Sequence, residues 1–269
     1  MFAHGFPSFW YMWKDQLVEF GKGYQAVALD MRGYNLSSKP AGLDQYKIDV
    51  LIEDMRALAE HLGHKTFVLV AHDWGGVVAW PFAIRHPGYV EKLIIVNAPH
   101  LGIFARLLSR HPGQQLASQY IRMFKTPEAE KILSDNNYAA LLTAIQTEAT
   151  NFSDEDREMY IQAWSQEGAL TGGLNYYRAA PFEPPAPDDE SGPSEQDMID
   201  ALNFETLEVK VPTLVIWGEQ DTALLTANLE GLEDYVPDLT IKRIPHGSHW
   251  VVNEQPDLVN SYIRDFIQP

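Results

Sequence analysis

Short apolar runs alternate with amphipathic stretches along most of the chain. Gln25–Asp30, Thr66–Val70, Lys92–Asn97 and Thr213–Trp217 are compact, rich in β-branched residues and bounded by turn signals. Such runs predict strands buried on both faces, the pattern of a parallel sheet covered by helices. Leu239–Ile244 carries charge within the run, which predicts a strand nearer the sheet edge. Leu51, Met55, Leu58, Ala59 and Leu62 recur at helical spacing, with Glu53, Asp54, Arg56 and Glu60 on the opposite face. Pro256–Ile267 starts with a helix-compatible Pro and repeats Leu258, Tyr262, Ile263 and Phe266. Strand–helix alternation of this kind predicts an α/β fold with right-handed crossovers.

The middle of the chain breaks that rhythm. From His100 to Arg178 the pattern contains no strand, only helical stretches such as Ala117–Phe124 and Pro127–Leu133. This predicts a core formed by residues 1–98 and 205–269, with a helical cap inserted over residues 99–180. Residues 181–204 read as an exposed, acidic, Pro-rich return loop. Between Pro181 and Asp200 stand five Pro and seven carboxylates without one Lys or Arg.

Composition narrows the function classes. The 269 residues hold 37 acidic and 20 basic side chains, for a formal net charge of −17. Nucleic acid and anionic membranes would repel such a chain. No cysteine is present, which removes disulfides, thiolate zinc sites and a cysteine nucleophile. The longest uncharged stretch, Leu93–Ala105, falls short of the roughly 18 apolar residues that span a bilayer. No basic segment followed by an apolar one opens the chain, so a cytoplasmic location is expected. No P-loop, EF-hand loop or H-E-x-x-H occurs, and Gly21-Lys22-Gly23 leads into a strand rather than a helix; no cofactor is expected.

Four motifs carry chemistry. Ala71-His72-Asp73-Trp74-Gly75-Gly76 follows a predicted strand and precedes a helical run, Val77–His86. Small residues two before and two after Asp73 permit the sharp strand-to-helix turn that lifts a nucleophile clear of a sheet. His4-Gly5-Phe6-Pro7 follows the apolar start Met1–Ala3; there the Phe6 N–H, paired with that of Trp74, would form an oxyanion hole. Trp217-Gly218-Glu219-Gln220-Asp221 and His246-Gly247-Ser248-His249-Trp250 follow the last two strands, at the sheet end where ligands bind in open α/β folds. The order Asp73, Asp221, His249 is that of nucleophile, acid and base in a catalytic triad. His246 and Glu219 compete for the base and acid roles. Asn97, an amide at the end of its strand, cannot serve as the acid.

With these motifs the chain resembles the α/β-hydrolase superfamily, and within it the cap-bearing epoxide hydrolases. HGFP, Arg32-Gly33-Tyr34, HDWGG, W-G-E-x-D and G-x-H-W all match. The resemblance implies that Tyr120 and Tyr177 of the cap polarise the epoxide oxygen. It also implies two or more strands ahead of His4, where this chain has three residues. Either the domain lacks its first edge strands, leaving an exposed edge, or a longer chain supplies them. The implied reaction opens an epoxide to a vicinal diol through an alkyl ester on Asp73. That ester is then hydrolysed by water activated by His249 and Asp221. A carboxylate of ordinary pKa is already ionised at neutral pH and needs no base for the first step.

The expected partners are a small hydrophobic epoxide and water, without nucleic acid or membrane; a homodimer is allowed. Phe6, Trp10, Trp74, Phe124 and Trp164 are candidates for an apolar substrate pocket. Two alternatives share the fold. A haloalkane dehalogenase would use the same carboxylate, with the Trp74 indole on the halide, but Phe6 offers no side-chain donor there. A non-catalytic ligand receptor would bind without turnover.

Overall fold

The computed structural model describes residues 1–150, 152–187 and 192–268. Among these residues six strands form: β1 (Phe2–Ala3), β2 (Ala28–Leu29), β3 (Phe67–His72), β4 (Val90–Val96), β5 (Thr213–Gly218) and β6 (Leu239–Ile244). They make one open, all-parallel sheet in the order β2-β1-β3-β4-β5-β6. Alternation along the strands divides the interior in two. Phe2, Val70, Ile94 and Ile216 enter one cluster, with Trp13, Phe20 and Ile263 from the helices beneath. Ala3, Leu69, Ile95 and Val215 enter the other, with Leu51, Met55 and Val78.

The helices follow from the same pattern. On the first face lie α1 (Lys14–Phe20) and, at the end of the chain, α12 (Pro256–Ile267); on the second lie α2 (Ile48–His61) and α3 (Trp74–Arg85). Among the described residues, seven helices fill the span between β4 and β5: α4 (Leu101–Arg110), α5 (Pro112–Ala117), α6 (Gln119–Lys125), α7 (Ala129–Ile145), α8 (Asp154–Trp164), α9 (Ala169–Ala179) and α10 (Glu195–Asp200). Their buried side chains, Leu141, Trp164 and Tyr176 among them, join the second cluster. Helix α7 is broken where Asn136, Asn137 and Tyr138 take left-handed φ of 49°, 57° and 63°. The chain closes with α11 (Val251–Glu254) and α12 (Pro256–Ile267). Among the described residues, no helix is long and apolar enough to cross a membrane.

Three local expectations change. The run Gln25–Asp30 yields only the two-residue strand β2, half-buried at the sheet edge. There the Asp30 carboxylate accepts hydrogen bonds from the Trp10 backbone at 3.2 Å and the Asn35 amide at 2.9 Å, which turns the chain out of the sheet. The helical run Ala117–Phe124 is interrupted at Ser118, between α5 and α6. The acidic return segment is not loop throughout, because α10 forms on a reciprocal cap between Ser194 and Asp197 and buries Met198. Asp188, Asp189 and Glu190 of that segment lie outside the described residues.

Candidate active site

The carboxyl ends of β1, β3, β4 and β5 converge because neighbouring strands are in register, with Ala3 beside Ala71, Ala71 beside Ile95 and Ile95 beside Val215. At the end of β3 the backbone turns directly into α3 through Asp73, at φ 50° and ψ −125°. A side chain held in this unfavourable region is fixed by its surroundings. Two glycines make the turn feasible: a Cβ on Gly75 would strike the Ala3 carbonyl, and one on Gly5 would strike the Asp73 carboxylate. The Phe6 N–H donates to Asp73 Oδ1 at 2.6 Å. Burial pushes the Asp73 carboxyl above its ordinary pKa, against the expectation of an unshifted group; His249 and the Trp74 and Phe6 N–H groups oppose that rise.

The other two members come from the loops after β5 and β6. Asp221, whose side chain is 0% exposed, accepts the His249 Nδ1–H at 2.7 Å through Oδ2. Its Oδ1 accepts the Ala223 and Leu224 N–H groups, each at 2.9 Å. Burial works against this charge, yet His249 and these hydrogen bonds hold the carboxyl below its usual range. His249 Nε2 stands 3.7 Å from Asp73 Oδ2. Burial alone would lower the imidazole pKa, but Asp221 and Asp73 raise it to about 8. The competitors separate in space: His246 is exposed, and Glu219 pairs with Arg243 at 3.1 Å.

The cap places its tyrosines over this carboxylate. Tyr120, from α6, and Tyr177, from α9, line one cavity with Asp73 and Trp74. Their ring centroids lie 6.1 Å apart, and Tyr177 meets the Trp74 ring edge-on at 5.0 Å. Burial first, then the Asp73 charge, raises the pKa of both phenols, so each keeps its proton. The rest of the cavity is apolar, with Leu101, Phe104, Ile121, Phe182 and Leu224 in its wall.

The five proposed pocket aromatics divide. Trp74 lines the cavity. Phe6 and Phe124 stand behind it, each against Tyr177, at 5.7 and 4.9 Å between centroids. Trp10 and Trp164 are placed elsewhere, which corrects that expectation. Trp10 packs edge-on against Phe9 and Tyr11. The Trp164 indole donates to the Pro7 carbonyl at 2.6 Å and so fastens the cap to the turn that carries Phe6.

Three further groups brace the site; sequence reasoning gave Asn97 and His72 no part in it and read His4 as a stabiliser of its turn. Asn97, set aside as an unsuitable acid, donates to Asp221 Oδ2 at 2.8 Å and accepts the Gly218 N–H at 2.8 Å. The His72 Nε2–H donates to the His249 carbonyl at 2.8 Å, with its pKa lowered to about 3 by burial and by His249. Burial likewise lowers the His4 pKa to about 4; this residue accepts the Met31 N–H at 3.0 Å and braces the turn before Phe6. Adjacency to a motif was the only signal available for the first two.

Known proteins share this arrangement of strands and cap. The alpha/beta hydrolase fold family matches residues 1–256. The chain is 37% identical over 279 residues to epoxide hydrolase 4 of Mus musculus, covering 100% of this chain and 72% of that one. It is 36% identical over 277 residues to epoxide hydrolase 3 of Xenopus tropicalis, covering 100% and 71%. A mutant of an epoxide hydrolase from Bacillus megaterium matches in structure with a TM-score of 0.90 at 36% identity, over 99% of this chain and 92% of that one. The chain belongs to the epoxide hydrolases of the α/β-hydrolase fold.

Proposed function

We propose that this protein hydrolyses epoxides to vicinal diols through a covalent ester on Asp73. One observation carries the reading. Asp73 Oδ1 is tied to the Phe6 N–H at 2.6 Å, while Oδ2 faces His249 Nε2 at 3.7 Å, within the cavity that also holds Tyr120 and Tyr177. The two oxygens thus have separate tasks. Oδ2 attacks a ring carbon; the carbon–oxygen bond breaks, and its electron pair goes to the ring oxygen. That oxygen takes hydrogen bonds from both phenols and then a proton from one of them, which is left as phenolate.

The second half-reaction reverses the charge at Asp73. His249 Nε2 removes a proton from water as the water oxygen adds to Cγ, and the negative charge gathers on Oδ1, against the Phe6 and Trp74 N–H groups. Collapse breaks the Cγ–Oδ2 bond, the departing alkoxide takes the proton back from His249, and the second proton of the water leaves the regenerated Asp73 carboxyl to restore the phenol. Esterification also prepares the base, because the Asp73 charge that helps raise the His249 pKa is gone in the ester. The apolar cavity wall suits hydrophobic, including aryl-substituted, epoxides.

A single turnover of an aryl epoxide in ¹⁸O-water tests this. Label is expected in the Asp73 carboxylate and absent from the first diol, and His249→Gln is expected to halt with substrate esterified to Asp73. Direct appearance of label in the first diol, with none on Asp73, would overturn the ester route. Ligand binding without any turnover, unchanged in Asp73→Ala, would make the protein a receptor.

A further inference from the structure

His249 lies between two residues that are each fastened to the cap. On one side, Glu254 Oε2 accepts the Ser248 N–H at 2.8 Å and Oε1 accepts the Ser248 hydroxyl at 2.7 Å. The same Oε1 accepts the hydroxyl of Thr147, in the cap segment just after α7, at 2.7 Å. On the other side, the Trp250 indole donates to the Ala144 carbonyl, in the last turn of α7, at 2.6 Å. Among the described residues these are the two side-chain hydrogen bonds between the histidine loop and the cap. Neither Glu254 nor Thr147 lines the cavity around Asp73.

We propose that Glu254 is a positioning residue that couples the seating of the cap to the placement of the base. Its carboxylate holds three donors at once, and one of them, the Thr147 hydroxyl, is present only while the cap segment is docked. A charged acceptor shared by three donors fixes its partners more firmly than neutral bonds do. Loss of the cap contact leaves the Ser248 backbone freer to shift, and His249 moves with it. Carboxylate attack by Asp73 does not use the base, so the effect falls on ester hydrolysis. The tyrosines that assist the first step sit on the same cap, so the latch lets the base act only when that cap is in place. The inference rests on the ester mechanism proposed above.

Rapid-quench mass spectrometry of the intact protein resolves ester formation from ester loss. Thr147→Val keeps the shape and removes only the cap arm. Glu254→Gln keeps the size and removes the charge, and Thr147→Ser retains the hydroxyl while losing the methyl. Thr147→Val and Glu254→Gln are expected to form ester within about twofold of the wild-type rate and to hydrolyse it about tenfold more slowly, the scale of a sub-ångström misplacement. Ester should therefore accumulate in both, and Thr147→Ser should behave as wild type. Should Glu254→Gln fail to fold, Thr147→Val alone decides. Wild-type hydrolysis in Thr147→Val, or an equal slowing of both steps, overturns the latch. If diol forms while no protein, His249→Gln included, ever carries ester, the ester mechanism falls and the latch with it.

Discussion

Asn97→Ala should be among the most damaging substitutions outside the triad, although Asn97 does not face the cavity. The side chain is fully buried, with 0% exposure, and spans the ends of β4 and β5. It donates to the ionised Asp221 at 2.8 Å and accepts the Gly218 N–H at 2.8 Å. Losing a hydrogen bond to a charged group costs about 1.5–3 kcal/mol, and leaving the Gly218 N–H unpaired adds about 1–3 kcal/mol. Asn97 also sits at φ 40°, where Ala adds about 1 kcal/mol of strain. The total, about 3.5–7 kcal/mol, predicts a fall in Tm of roughly 7–28 °C for a chain of this size. Scanning calorimetry reads that directly. The same change removes a donor that stabilises the Asp221 charge, so ester hydrolysis should slow as well. A Tm within 3 °C of wild type, with normal hydrolysis, would refute the account of Asn97 as the brace between the two strands.

Other outcomes follow from the same geometry. Tyr177→Phe should slow ester formation by about 10² while leaving ester hydrolysis near wild type, in single-turnover measurements with an aryl epoxide. The His249 pKa, about 8 in the free protein, should fall in Asp73→Asn, followed by imidazole NMR; an unchanged value would remove Asp73 from its causes. Because that folded value lies above the unfolded 6.5, the stability His249 contributes is complete below pH 6.5 and is lost as pH rises through about 8. Asn137→Ala, at an exposed left-handed position in the break of α7, should lower stability by about 1 kcal/mol in denaturant titrations, without effect on turnover.

Much of this protein was legible along the chain. Compact apolar runs marked β3, β4 and β5, because strands covered on both faces have no choice but to be apolar. The elbow at Asp73 was legible from small residues flanking a carboxylate, since sterics allow little else at that turn. Sequence also placed Asp221 and His249 after their strands. What it could not show was position in three dimensions. Glu219 and Asp221 are two residues apart, as similar as two carboxylates can be; only the fold turns one toward His249 and the other toward Arg243. Trp10 and Trp164 look as suited to a pocket as Trp74, and packing sends them elsewhere.

Local sterics and hydrophobic periodicity act over a few residues, so the sequence by itself determined most of the elements, their order and the sharp turn that carries Asp73. The brace of Asn97, the paired tyrosines of the cap and the hold of Glu254 on the histidine loop join residues far apart in the chain. Such contacts leave no periodic trace in sequence; they exist only once the sheet has brought its carboxyl ends together and the cap has closed over them.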